Sequence, residues 1–128
     1  MWVSSLEDLK GSAQDVRTDE WRSVRFVLAD RGLGYSFHDS TIHAGVRLDM
    51  HYLHHVETVY CVSGEATLIE RDTGKRHDIR PGSLYLLDRH DEHTFIAHTE
   101  VRIICVFTPA LSGDERHDAH GAYPASAA

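Results

Sequence analysis

The sequence of 128 residues has only two cysteines and lacks any long hydrophobic run. Two cysteines cannot build a disulfide scaffold. Because both lie in apolar β-like segments, we expect Cys61 and Cys105 to be buried, reduced thiols. No apolar stretch approaches the roughly 20 residues that a membrane-spanning helix needs, and the first residues lack the apolar core of a signal peptide. These absences predict a soluble, cytoplasmic protein with no membrane partner.

Basic residues are also scarce. Lysine and arginine number 13 against 20 aspartates and glutamates, which gives a formal net charge of −7. Such a balance leaves no basic stripe for a phosphate backbone, so no nucleic-acid partner is expected. The length fits a single domain over residues 1–128, and such a domain can bury a core without disulfides or a structural metal.

The chain consists instead of short segments with alternating side chains. SLEDLKG predicts a short N-terminal helical turn with Ser5 as its cap and Gly11 beyond its end. The later segments are rich in β-branched and aromatic residues and are separated by turns such as DRGLG, DTGK and RPGS. This pattern predicts an all-β sandwich or barrel. By composition alone, the ending GDERHDAHGAYPASAA predicts partial disorder.

The segment GVRLDMHYLHHVETVYCVSG, residues 45–64, contains an unusual number of ionisable side chains for a β-strand. Alternate side chains of a strand share one side, so His55, Glu57, Val59 and Cys61 lie together. Since Val59 and Cys61 are apolar, that side is predicted to face inward. A buried carboxylate is costly unless it is paired, hydrogen-bonded or bound to a metal.

The same alternation predicts further inward side chains, and closure of the sheet could bring Glu57, Tyr85 and His93 together. Simpler interpretations exist for each: an edge carboxylate for Glu57, a core side chain for Tyr85 and a turn residue for His93. The histidine cluster could likewise be a solvated strand end. The other inward residues expected by this rule are Leu87, Phe95, Ala97, Cys105 and Phe107, and the clustered histidines are His51, His54 and His55.

Two motifs resemble those of the cupin superfamily. The spacing of Gly45, His51, Glu57 and Gly64 resembles the first cupin motif, and GKRHDIRPGS resembles the start of the second. A closer similarity, to the ectoine synthase family, covers nearly the whole chain through WRSVRF, GYSFHDSTIHAG, HHVETVYCVSGEA, RPGSLYLLDRHDEH and CVFTPALSGDERHDAHGAYP. The resemblance implies an all-β, cupin-type double-stranded β-helix barrel with a short N-terminal helical turn and a C-terminal lid segment. For the C-terminal segment, the resemblance therefore predicts an ordered lid in place of the disorder that composition predicts.

The resemblance also implies the chemistry. It implies a carbon–oxygen lyase of compatible-solute biosynthesis, part of the osmotic stress response. The reaction would convert N-γ-acetyl-L-2,4-diaminobutyrate to ectoine with loss of water. An Fe(2+) ion would be bound by Glu57, Tyr85 and His93, the trio that strand alternation also nominates, and the chain would form a homodimer. The implied substrate-binding residues are Trp21, Arg25, Ser40, Cys105 and Phe107, and the implied catalytic residues are Tyr52, His55, Glu115 and His117.

Some positions depart from the family pattern, and other functions fit the bare sequence. Ser40 stands where threonine is usual, and His51 stands where an aromatic side chain is common, so His51 is not assigned to the metal. Arg25 is the expected partner of the substrate carboxylate, although by itself it could be a surface arginine. The alternatives are a paralogous cyclase on a related acyl-diamino acid, a metal-dependent cupin oxygenase or isomerase, and a non-catalytic cupin that binds a small solute.

The implied lid gives a prediction. Deleting residues 113–128 is expected to lower kcat while the barrel stays folded, because bulk water would favour hydrolysis of the cyclic product. Steady-state kinetics and circular dichroism of the truncated chain check this. An unchanged kcat would refute the lid.

Overall fold

The structure is a computed structural model that describes residues 1–113 and Tyr123. This part of the chain is nearly all β, as predicted. It contains helix α1 (Leu6–Leu9), a 3-10 helix (Ala29–Arg31) and strands β1 (Asp15–Arg17), β2 (Trp21–Val27), β3 (Ser36–Ile42), β4 (Arg47–Met50), β5 (Val56–Ser63), β6 (Ala66–Glu70), β7 (Arg76–Ile79), β8 (Leu84–Leu87), β9 (His93–Ala97) and β10 (Val101–Thr108).

Helix α1 begins where the sequence predicts. The Ser5 side chain accepts a hydrogen bond from the Asp8 backbone N–H at 3.2 Å, and the Asp8 carboxylate accepts one from the Ser5 N–H at 3.2 Å. This reciprocal capping box satisfies two backbone donors that a helix start would otherwise leave unpaired. The predicted N-terminal helical turn is therefore confirmed.

The strands form two antiparallel sheets. The six-stranded sheet has the order β1-β2-β3-β10-β5-β8, and the four-stranded sheet has the order β4-β9-β6-β7. The last strand, β10, pairs with β3 on one side and β5 on the other, and its register places Phe107 opposite Glu57 and Cys105 opposite Val59. Residues about 50 positions apart in the sequence thus become neighbours in the middle of one sheet.

The predicted inward face of β5 is confirmed. Glu57, Val59 and Cys61 are at most 5% exposed, whereas Tyr60 is 47% exposed. The same two-residue period buries Cys105 and Phe107 on β10 and Leu87 on β8. Both cysteines are free and buried, as expected. These faces enclose one hydrophobic core between the two sheets.

Two strands were not predicted. β1 and β7 are three and four residues long and have the sequences DVR and RHDI. Each contains a single apolar residue, so neither shows an alternation of apolar and polar side chains. Among the described strands, each lies at the end of its sheet and pairs with a single neighbour. Within the part of the chain that the structure describes, no helix is both long and apolar enough to cross a bilayer.

Gly64, from the first cupin-like motif, lies at a point of close backbone approach. Its φ is +89°, and a Cβ there would overlap the Glu100 carbonyl oxygen and lie 2.8 Å from the Val101 Cα. Gly45, from the same motif, also has a positive φ, +83°, but a Cβ there would meet no atom within 4 Å. Both glycines therefore have a conformational role, and Gly64 has a steric role as well.

Alanine substitutions at Gly45 and Gly64 separate the cost of a positive φ from the cost of the close backbone approach. Gly45→Ala is expected to lower the free energy of unfolding by about 1 kcal/mol, from backbone strain alone. Gly64→Ala is expected to cost roughly 3 kcal/mol or more, because backbone atoms must also move. Urea denaturation of the two variants measures both values, and equal losses would contradict the predicted close approach.

Candidate active site

Glu57 lies in the interior of the six-stranded sheet, since β5 is flanked by β10 and β8. Its side chain faces a narrow cavity of about 40 Å³ between the sheets. The interpretation of Glu57 as an edge carboxylate is therefore wrong. The cavity is also lined by six other residues that the sequence nominates: Trp21, Ser40, Tyr52, Tyr85, Cys105 and Phe107.

The Glu57 carboxyl is in an unfavourable environment for a charge. Burial raises its pKa to about 8, and a hydrogen bond from the Cys105 thiol lowers it only in part. Among the described residues, no cationic side chain forms an ion pair with it. A bound cation would favour the ionised form and offset the cost of burial.

Tyr85 lies on the neighbouring strand and on the same face. It is opposite Val59 in the β5–β8 register, which makes it a diagonal neighbour of Glu57. Burial raises the pKa of its phenol well above the usual value of 10. Tyr85 also lines a second, wider depression of about 590 Å³, and His93 is among the other residues of that wall.

His93 begins β9 and is 1% exposed. Its Nδ1 lies 2.8 Å from the Asp91 carbonyl oxygen. Because a carbonyl only accepts, Nδ1 carries the proton and Nε2 carries the lone pair. Nε2 is buried and makes no hydrogen bond to the described residues. A histidine with one nitrogen oriented by a carbonyl and the other left as a lone pair has the form of a metal ligand.

Of the three predicted metal ligands, Tyr85 and Glu57 line the narrow cavity, whereas Tyr85 and His93 line the wider depression. Among residues 1–113 and Tyr123, no three His, Cys, Asp or Glu side chains form a metal-binding group. The predicted ligand set is of a different kind, because its third member is the phenol of Tyr85. Carboxylate, phenolate and imidazole together are compatible with iron.

Aromatic rings form part of the cavity wall. The Tyr52 ring stacks on Tyr123 at 5.4 Å and meets Phe107 edge-on at 5.3 Å. It also lies 5.9 Å from the His93 ring. His55 is 1% exposed, with its ring 5.9 Å from that of Phe107. The interpretation of the histidine cluster as a solvated strand end is therefore wrong for His55. His54 is exposed and His51 is partly exposed.

Arg25 is fully buried, so a surface arginine is wrong. Its guanidinium donates to the Gly113 carbonyl at 2.8 Å and to the Ser23 hydroxyl at 3.3 Å, and it lies 5.7 Å from the centre of the Tyr123 ring. Ser23 and Tyr123 both line the cavity. Arg25 therefore supports two residues of the wall.

Several residues of this region are not among the predicted site residues. Ser23 shares strand parity with Trp21 and Arg25, and that signal could have found it. His38 has the parity of Ser40 and is paired in register with both Arg25 and Cys105. Burial and the nearby Arg25 charge lower the pKa of His38 to about 3. Met50 and Tyr123 also line the cavity, and for Tyr123 no strand pattern gave a signal.

Two predicted catalytic residues cannot be placed. Glu115 and His117 lie outside the described residues, as does most of the predicted lid. Their roles and the lid stay predictions.

The fold is that of a cupin-type barrel. The polyketide cyclase RemF from Streptomyces resistomycificus superposes with a TM-score of 0.70 at 16% identity, over 94% of this chain and 90% of that one. KdgF from Halomonas sp. gives a TM-score of 0.62 at 15% identity, over 72% and 82%. At such identities the likeness establishes the architecture only.

Closer relatives give the family. The ectoine synthase of P. lautus superposes with a TM-score of 0.84 at 39% identity, over 88% of this chain and 81% of that chain. The L-ectoine synthase of Thermobifida fusca is 47% identical over 97% of this chain and 92% of its own. That of Mycobacterium sp. strain KMS is 45% identical over 100% and 99%.

The family model described as ectoine synthase matches residues 1–127. The chain therefore belongs to the ectoine synthase family, and it is an enzyme of the carbon–oxygen hydro-lyase class.

Proposed function

We propose that this chain catalyses the cyclocondensation of N-γ-acetyl-L-2,4-diaminobutyrate to ectoine with loss of water. The observation that carries the proposal is the cavity, which gathers Glu57 and Tyr85 with four nominated substrate-binding residues, in a chain that matches ectoine synthases over almost its full length. The four are Trp21, Ser40, Cys105 and Phe107.

For the cofactor we propose Fe(2+), held by Glu57, Tyr85 and His93. The buried lone pair on His93 Nε2 and the buried Glu57 carboxyl, whose pKa burial raises, both support a cation at this position. Because burial also raises the pKa of the Tyr85 phenol, ionising it requires an adjacent positive charge. Bound there, iron would supply Lewis-acid activation of the acetyl-amide carbonyl.

The chain's own contribution is positioning and the exclusion of water. The aromatic side chains of Trp21, Tyr52 and Phe107 make much of the wall apolar, which disfavours hydrolysis. Folding the substrate so that its α-amine faces the carbonyl removes rotational freedom before the attack.

Proton transfer requires a base for the α-amine and an acid for the departing oxygen. We propose His55 and Tyr52 for these steps from the described residues, together with Glu115 and His117. For the substrate carboxylate we propose Arg25, whose guanidinium contacts two residues of the cavity wall.

Removing the central carboxylate tests the metal site. Glu57→Ala is expected to abolish iron binding and to lower product formation by at least about 100-fold, because a three-ligand site loses its carboxylate ligand. Iron content after gel filtration and chromatographic detection of ectoine, with and without chelator, measure the two effects. Glu65→Ala, at an exposed carboxylate on the turn before β6, is the matched control. Wild-type product formation by Glu57→Ala would rule out the proposed iron site.

We also propose a homodimer. The outer face of β5 and β8 has four exposed apolar side chains, with Tyr60 opposite Leu84 in the strand register. Apolar patches on an exposed sheet face are typical of association surfaces, and among the described strands β8 forms the edge of the sheet beside them. The patch consists of Leu84 (61% exposed), Leu86 (49%), Tyr60 (47%) and Val62 (39%). The cytoplasmic location and the absence of a nucleic-acid partner stay predictions.

A charge within the patch should disrupt the dimer. Leu84→Glu is expected to raise the dimer dissociation constant at least 10-fold, because the carboxylate would lose its hydration at the interface. Light scattering would then give the 14.5 kDa chain mass in place of twice that value. Leu33→Glu, at a similarly exposed leucine outside the patch, should leave the mass unchanged. A monomeric wild type would contradict the proposal outright.

A further inference from the structure

The loop between β8 and β9, residues 88–92, contains an unusual backbone conformation. His90 has a φ of +54°, and among the described residues it is the one non-glycine with a positive φ. Such a conformation is uncommon for residues with a side chain, although histidine, asparagine and aspartate adopt it more often than most. It persists where surrounding contacts hold it, and it concentrates near functional sites.

The His90 side chain makes one long-range contact. Its Nδ1 lies 2.8 Å from the carbonyl oxygen of Tyr52, 38 positions away in the sequence. Because a backbone carbonyl only accepts, Nδ1–H is the donor and the tautomer is fixed. The contact joins two loops that lie side by side, since Met50 pairs with His93 and Glu57 pairs with Leu87.

Each of these loops carries residues of the candidate site from one sheet to the other. The loop at residues 51–55 connects β4 of the four-stranded sheet to β5 of the six-stranded sheet, and it contains Tyr52 and His55. The loop at residues 88–92 returns to the four-stranded sheet and leads directly into His93. Its Asp91 carbonyl accepts the hydrogen bond from His93 Nδ1 at 2.8 Å.

We propose that His90 is a positioning residue that sets Tyr52 relative to His93. Its hydrogen bond holds the Tyr52 backbone in place. Its left-handed backbone conformation turns the chain so that the carbonyl of the next residue, Asp91, accepts the hydrogen bond from His93 Nδ1 and orients that ring. The Tyr52 and His93 rings lie 5.9 Å apart. The hydrogen bond to Tyr52 and the backbone turn before His93 therefore both affect how these two rings lie relative to each other. The inference rests on the proposed function for its catalytic consequence, but the geometric claim stands without it.

The loops and the strands beside them also meet at other points. His51 Nδ1 lies 3.7 Å from the Glu92 carboxylate, and the β4–β9 pairing continues below it. Removing the His90 hydrogen bond should therefore change the placement of Tyr52 and His93 without opening the barrel.

Three substitutions separate the donor from the backbone conformation. Asparagine tolerates a positive φ and places an amide N–H near the position of Nδ1. Aspartate has nearly the same shape, but at neutral pH it presents only acceptors to the Tyr52 carbonyl. Glycine accepts the conformation and has no side chain. The variants are His90→Asn, His90→Asp and His90→Gly, and His43→Asp at a partly exposed histidine elsewhere is the control.

The expected result is rescue by asparagine only. His90→Asn should keep kcat/KM within about threefold of wild type, whereas His90→Asp and His90→Gly should lower kcat at least 10-fold with melting temperatures near wild type. In the metal-free protein, the ¹⁵N shifts of the His93 imidazole should change in the aspartate and glycine variants and stay constant in the asparagine variant.

Two results would overturn the proposal. One is unchanged His93 shifts in all three variants, which needs no enzymatic activity to observe. The other is an asparagine variant that is as impaired as the aspartate variant. An inactive wild type would instead refute the proposed function, and the His93 shifts would still decide the role of His90.

Discussion

The burial of one carboxyl group, that of Glu57, is the constraint on which the candidate site depends. The group lies on an interior strand, and burial raises its pKa to about 8. The thiol hydrogen bond from Cys105 compensates for only part of the lost hydration. Among the described residues, Glu57 forms no ion pair, so ionising its carboxyl in the interior is unfavourable. Buried ionisable groups of this kind are typical of binding and catalytic centres.

The topology explains how this environment arises. Insertion of β10 between β3 and β5 places Cys105 and Phe107 beside Glu57, and β8 adds Tyr85 from the other side. His93 belongs to the second sheet and reaches the same region because two loops cross between the sheets at one end of the barrel. The proposed ligand set is thus spread over the three strands β5, β8 and β9, each of which keeps its hydrogen bonds to its neighbours.

Strand alternation was a sound guide wherever a strand was long enough to repeat. It assigned Glu57, Val59 and Cys61 to the interior, and it did the same for Cys105 and Phe107; burial confirms each assignment. For Arg25 the sequence left a surface position open, and burial excludes it. Its guanidinium donates to the Gly113 carbonyl, a partner distant in sequence. The family resemblance, confirmed by the full-length match, supplied the roles that alternation alone cannot assign.

The sequence by itself determined which side chains face inward, where helix α1 begins and to which family the chain belongs. These follow from local periodicity, from a four-residue capping pattern and from similarity along the chain. Only the tertiary structure decided which inward side chains meet: that Tyr85 borders the spaces of both Glu57 and His93, that Arg25 supports Ser23 and Tyr123, and that His90 reaches Tyr52. The physical reason is that strand register and sheet closure depend on contacts between distant segments, which no local pattern encodes.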